Sequence, residues 1–216
     1  CIIKNRLSIR KDFWYNHFMK KNLDFIDVEG NYGGDQHWYK DKFMRLAGCS
    51  SVCASEACAY LAGRFPHLRG LYPHDPARIG KKEFISFMTG MFSFFPPGIT
   101  GLSNIRRFRR CFLDYADAAG VAVRPALMDG REPLGAARDF VTAALDEGYP
   151  VMYLLLRHKD PALDDYTWHW FNLTGYETKG ESMSVDFATW GSKHTADFDN
   201  LWNTGANHLG GMVVIR

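Results

Sequence analysis

Three stretches of this chain carry side chains whose types suit covalent chemistry in combination. The first is Gly48-Cys49-Ser50-Ser51, directly ahead of an alanine-rich segment that reads as a helix. A thiol at a helix N-terminus meets unpaired backbone N–H groups and the positive end of the helix dipole, and both favour thiolate over thiol. The same N–H groups suit the oxyanion formed when sulfur attacks a carbonyl, and Gly48 leaves room for a substrate backbone. The second stretch is Trp168-His169-Trp170-Phe171-Asn172-Leu173-Thr174-Gly175-Tyr176. A histidine heading an apolar strand has a rigid mount and titrates near neutrality, so it can act as base and then as acid. The third is Val185-Asp186-Phe187-Ala188-Thr189-Trp190-Gly191, on the following strand, which can supply a group that orients the imidazole. Each stretch alone also reads as ordinary core packing; their joint occurrence points to chemistry.

Positioning these groups requires a helix behind Cys49 and paired strands around His169. Over 50–63, Val52, Cys53, Ala57, Tyr60 and Leu61 fall near helical spacing, with Gly63 suited to the stop. Ahead of it, Gly33-Gly34 makes a turn and Asp35 caps a short helix running through Trp38 and Phe43. Residues 66–82 read as loop, and 83–95 as an apolar helix or loop broken by Pro96-Pro97-Gly98. Ile105, Phe108, Phe112, Tyr115 and Ala119 form the apolar stripe of a helix over 102–119, with Arg106, Arg107, Arg109 and Arg110 on a solvated face. Leu134, Ala137, Val141 and Leu145 mark another helix, ended by Gly148. The period then changes: 151–156, 168–176, 182–190 and 211–215 read as strands. Helices first and strands second argue for an α+β fold. The expectation is a helical lobe over about 32–148 packed on an antiparallel sheet over about 149–216, with a cleft between them. Residues 1–31 are an N-terminal extension or the first part of the fold.

Composition narrows the function classes. The chain has 216 residues, 46% hydrophobic and 23% charged, which excludes a disordered or fibrous protein and suits one domain. With 26 basic and 24 acidic residues there is no electrostatic case for a nucleic-acid partner. No apolar run approaches the ~18 residues of a membrane helix, and the start, Cys1-Ile2-Ile3-Lys4-Asn5-Arg6, is too short in apolar residues for a signal peptide. The chain opens on Cys1 rather than Met, which leaves room for a removed targeting segment or a lipid-anchored cysteine. Five cysteines, an odd number, argue against a disulfide framework and for a reducing, cytoplasmic setting. Phosphate-loop, dinucleotide and Gly-x-Ser-x-Gly motifs are absent from the sequence.

Gly-Cys heading an Ala-rich helix, His-x-x-x-x-x-Gly-Tyr on a strand, and a strand ending in Trp-Gly together resemble the papain-like cysteine peptidases, in particular the bacterial branch related to the double-glycine leader peptidases. Gly33-Gly34-Asp35-Gln36-His37-Trp38 is similar to that branch's Gly-Gly-x-Gln-x-Trp segment. Leu145-Asp146-Glu147-Gly148-Tyr149-Pro150-Val151 resembles its entry to the histidine strand. The resemblance spans roughly 32–216 and implies a papain-like fold, a peptide or protein substrate and no cofactor or metal. It implies Cys49 as nucleophile, His169 as general base and Gln36 as side-chain oxyanion donor. Gln36 precedes Cys49 by thirteen residues, a longer spacing than in the family generally, so the intervening chain must fold back. The third member departs from the pattern. Ala188 stands where the family carries Asn or Asp, so Asp186, two residues earlier on the same strand face, is the candidate for orienting His169; Thr189 or a backbone carbonyl are the other options. Hydrolysis through a thioester, transfer of the acyl group to another acceptor, cleavage of a non-peptide amide and a catalytically impaired peptide-binding protein all fit these residues. Cys53, one turn beyond Cys49, reads as core, with a zinc site of Cys49, Cys53, His37 and His169 as its rival.

Overall fold

The computed structural model describes residues 18–98 and 101–216. Cys1 and the amphipathic opening of the chain through residue 17 lie outside the described residues. The elements are β1 (Met19–Asn22), β2 (Asp27–Val28), β3 (Asn31–Tyr32), α1 (Lys42–Ala47), α2 (Cys49–Arg64), α3 (Lys81–Phe94), α4 (Ile105–Ala118), β4 (Pro125–Asp129), α5 (Leu134–Asp146), β5 (Val151–Leu155), β6 (His169–Lys179), β7 (Ser182–Thr189), β8 (Ser192–Asp197), α6 (Phe198–Trp202) and β9 (Gly211–Ile215). The class is α+β. Seven strands form one antiparallel sheet in the order β4-β9-β5-β6-β7-β8, with β1 pairing the distal half of β6. β2 and β3 make a separate small hairpin.

The expected boundary near residue 148 does not separate helices from strands. β4 comes from within the helical stretch and pairs β9 from Pro125↔Ile215 to Asp129↔Gly211. β1 comes from the first 31 residues and pairs Met19↔Thr178 through Asn22↔Gly175, so this part of the N-terminal segment belongs to the fold. The helix expected through Trp38 and Phe43 is two pieces: a 3-10 turn over Gln36–Trp38 capped by Asp35, then α1 capped by Asp41. The loop expected over 66–82 contains a 3-10 helix at Pro66–Leu71 and the first residues of α3.

Helices cover both faces of the sheet. Along β6, alternate side chains point to opposite layers. Trp170 stacks on Phe108 of α4 with ring centroids 4.0 Å apart and donates its indole N–H to the Leu102 carbonyl. Asn172 faces α2, donating to the Cys53 carbonyl at 3.0 Å. Phe171 packs on the other side against Tyr153 and Phe187, and the Tyr153 hydroxyl donates to the Leu201 carbonyl of α6. α2 is the central helix, buried from Cys49 through Ala62. Its run of Ala, Ser and Cys lets α3, α1 and β6 approach closely. Among the described residues no helix is long and apolar enough to cross a membrane.

Candidate active site

Cys49 is the first residue of α2, behind the cap residue Gly48. A side chain at Gly48 would stand 2.4 Å from the Met44 carbonyl and 2.6 Å from the Tyr39 ring. The glycine therefore serves the packing of α1 and Tyr39 on this helix start, rather than leaving room for a substrate. The Tyr39 hydroxyl fixes the same turn through Ser51 Oγ at 2.7 Å, and donates to the Met88 carbonyl.

His169 opens β6, 120 positions after Cys49, and the two line one small cavity with Gln36, Cys53, Glu56 and Thr189. The cavity holds about 10 Å³, the room of roughly one water. Cys49 keeps 8% of its surface exposed and His169 6%. Backbone amides of Trp170, Ser50 and Cys49 itself pull the thiol towards thiolate, but burial outweighs them and the net shift is upward. The helix start thus supplies the expected donors but not the expected net shift, because desolvation of a buried sulfur exceeds the effect of three N–H groups. Burial, helped by the charges of His37 and His194, lowers His169 to about 3. At neutral pH the closed site therefore holds a neutral thiol beside a neutral imidazole.

The imidazole is held by Thr189, not by Asp186. His169 Nε2 lies 2.7 Å from Thr189 Oγ1. Asp186 shares the strand face of Ala188 as expected, but its carboxylate is committed elsewhere: Oδ1 accepts from Thr195 Oγ1 at 2.6 Å and Oδ2 pairs with Lys193 at 2.8 Å. Two residues of strand are a separation of about 6–7 Å, beyond hydrogen-bond reach of the ring. A hydroxyl holds the ring without selecting a tautomer, since it can accept from Nε2–H or donate to a bare Nε2. It brings no negative charge to stabilise an imidazolium.

Trp190 lies over the ring, 4.8 Å between centroids and 26° between planes, and stacks in turn on Tyr166. Trp190 and Gly191 form the two-residue turn between β7 and β8, with φ of 50° and 68°. Such a turn needs positive φ at both central residues, which suits Gly and costs a tryptophan about 1–2 kcal/mol. Trp168, directly before His169, is also left-handed, with φ 55°. Two of the three non-glycine residues with positive φ among the described residues thus flank this histidine, the pattern of backbone strain kept at working sites.

Gln36 reaches the cavity because the chain folds back through α1. Its Nε2 donates to the Arg45 carbonyl at 3.1 Å, and Arg45 in turn donates to the carbonyls of Tyr39 and Lys40. Gln36 Oε1 is buried without a partner. Exposed apolar side chains adjoin the site residues in sequence: Leu46 of α1, three residues before Cys49, is 81% exposed and Trp168, directly before His169, is 39% exposed, with the Arg157 guanidinium 5.8 Å from its ring.

Two residues of the neighbourhood were missed by the sequence reading. Glu56 is a carboxyl inside an alanine-rich helix, and a buried acid is rare unless partnered, which was the available signal. Asn172 sits on the histidine strand at a position that alternation assigns to the core. Cys53 is buried with its thiol pushed well above the ordinary range by burial. Among the described residues no group of three or more His, Cys, Asp or Glu is arranged to hold a metal ion, so the zinc rival has no ligand set there. No protein-family model, curated protein or solved structure matches this chain.

Proposed function

We propose that this protein is a papain-like cysteine peptidase that cleaves amide bonds in a peptide or protein substrate through a thioester. The observation that carries the reading is that Cys49, at a helix start, and His169, at a strand start, line one cavity although 120 positions part them in the chain. The Thr189 contact on Nε2 supports it by holding the imidazole in place. His169 takes the thiol proton as sulfur bonds to the substrate carbonyl carbon. The carbonyl oxygen becomes an oxyanion, held by the Cys49 N–H and the Gln36 amide. Collapse breaks the C–N bond, and the imidazolium returns its proton to the departing amine. Water, deprotonated by His169, then attacks the thioester and releases acid and thiol.

A second reading, a peptide-binding protein with impaired chemistry, is favoured by one observation: the cavity admits about one water and both reactive groups are neutral in it. Limiting iodoacetamide from pH 5 to 9, with the label mapped by mass spectrometry, separates the two. The peptidase reading expects Cys49 to label ahead of the other cysteines near pH 7, and His169→Ala to slow it by about tenfold or more. Slow, uniform labelling that ignores His169 supports the binding protein instead.

A further inference from the structure

Glu56 lies two turns beyond Cys49 on α2 and is 1% exposed. A carboxyl so placed is costly unless both oxygens are satisfied. Both are, and by different elements. Oε1 accepts the Gly34 N–H at 2.7 Å, and Oε2 accepts from Asn172 Nδ2 at 2.7 Å. The same Asn172 nitrogen reaches the Cys53 carbonyl at 3.0 Å. Gly34 stands two residues before Gln36, and Asn172 three residues after His169. The three segments bearing Gln36, Cys49 and His169 therefore converge on one carboxyl. The seat is cut to it: at Gly33, φ +84°, a Cβ would lie 2.5 Å from Glu56 Oε1.

We propose that Glu56 is a positioning residue whose two carboxyl oxygens clamp the Gln36 loop and the His169 strand onto the Cys49 helix. Its catalytic consequence rests on the peptidase reading; the clamp itself rests on the hydrogen bonds alone. The loop has further ties: Gly191 donates to the Gly34 carbonyl at 2.8 Å, and Gly33 donates to the Ile26 carbonyl at 3.0 Å. Those join it to the β7–β8 turn and to residue 26, not to α2. Without Glu56 the loop and turn can shift together relative to Cys49. Reacting groups tolerate little displacement, about 1 Å of which can cost roughly a hundredfold in rate.

The test uses the full chain as wild type, Glu56→Ala, Glu56→Gln and Asn172→Ala, each with and without His169→Ala. Hydrogen–deuterium exchange follows peptides covering 33–38 and 169–173, and iodoacetamide follows Cys49, both below each variant's unfolding midpoint. Glu56→Ala is expected to speed exchange in both peptides together and to cut the His169-dependent part of the alkylation rate by about tenfold or more. Once the Asn172 amide turns over, Glu56→Gln keeps an acceptor for Gly34 and donates to Asn172 Oδ1, giving up the bond from Asn172 to the Cys53 carbonyl. It should stay within about threefold of wild type in rate. A residue that only fills space would lower the unfolding temperature and leave the His169 dependence intact, so a folded Glu56→Ala with wild-type dependence overturns the proposal. Should Glu56→Ala not fold, Asn172→Ala, which removes the strand half and leaves Gly34 held, decides it. Faster exchange in 169–173 without 33–38, together with a cut in the His169-dependent rate, sustains the clamp, and wild-type His169 dependence overturns it. A wild-type chain whose Cys49 ignores His169 sinks the peptidase reading instead. The clamp is then decided by exchange: a joint rise in both peptides sustains it, and its absence overturns it.

Discussion

Replacing Glu56 by Gln should flatten the dependence of stability on pH above neutrality. Burial raises the Glu56 carboxyl from 4.5 to about 8, against the pull of Gly34 and Asn172 and with the help of the Asp35 charge. The folded protein holds this proton up to about pH 8, while the unfolded chain releases it near 4.5. Between those values the folded state binds more protons, so stability falls as pH rises. The contribution is whole below the lower value and gone above the upper one. The interval, 8 − 4.5 = 3.5, sets a ceiling of about 5 kcal/mol at about 1.4 kcal/mol per unit. His169 acts in the opposite sense. Its value drops from 6.5 to about 3, so the unfolded chain binds the extra proton in that range and stability rises with pH there. The two slopes oppose each other from 4.5 to 6.5, and from 6.5 to 8 Glu56 acts without His169. Over that last interval the wild type should lose about 2 kcal/mol that Glu56→Gln retains. Urea unfolding of both proteins across the interval reads the difference directly, since their other titrating groups are shared. Parallel curves would refute the reasoning, because they would mean that the carboxyl is already ionised in the folded state.

Two further substitutions probe the surroundings of His169. Thr189→Val keeps the shape but removes the hydroxyl that holds Nε2, and should lower His169-dependent alkylation of Cys49 about 10–100-fold. Urea unfolding should move by no more than about 2 kcal/mol, and Thr189→Ser should restore the rate. Trp168→Ala removes an exposed indole directly before His169 in the chain and should leave stability within about 1 kcal/mol. In steady-state assays on a cleaved peptide it should raise KM while kcat changes little; an unchanged KM removes Trp168 from the substrate wall.

The parts of the fold legible in the sequence are those written in local periodicity. The stripe of Ile105, Phe108 and Phe112 gives α4, and the apolar run from Val151 gives β5. β9 has the expected bounds, Gly211–Ile215. β4 escapes because it is half-buried at every position and opens on Pro125, so it shows no alternation and draws its strand character from pairing with β9. β8 escapes for a different reason. Its residues, Ser192–Asp197, are polar and mostly exposed, and the turn that creates it is Trp190-Gly191 where Asn-Gly would have announced a hairpin. At the site, Cys49, His169 and Gln36 are readable from residue type and order. The orienting group is readable only as a choice between Asp186, Thr189 and a backbone carbonyl, because alternation tells which face Asp186 shares with Ala188 but not where along the strand the imidazole lies.

The opposite displacements of Cys49 and His169 have one cause, and it bears on how such a site can work. Both groups lose water, and each therefore favours its uncharged form: the thiol goes up and the imidazole goes down. A standing thiolate–imidazolium pair is disfavoured in a cavity of about 10 Å³ whose orienting partner is a neutral hydroxyl. The amides of Trp170, Ser50 and Cys49 still point at the sulfur, so the donors that stabilise negative charge are in place before any charge exists. Under the peptidase reading, proton transfer from sulfur to nitrogen then accompanies attack on the electrophile that enters the cavity, iodoacetamide in the labelling test or a substrate carbonyl in the reaction. A substrate carbonyl must first open the cavity, and the negative charge passes from sulfur to an oxygen beside the same helix start. Trp190 stacks on the imidazole and Trp168 directly precedes it in the chain, each at the cost of a left-handed backbone.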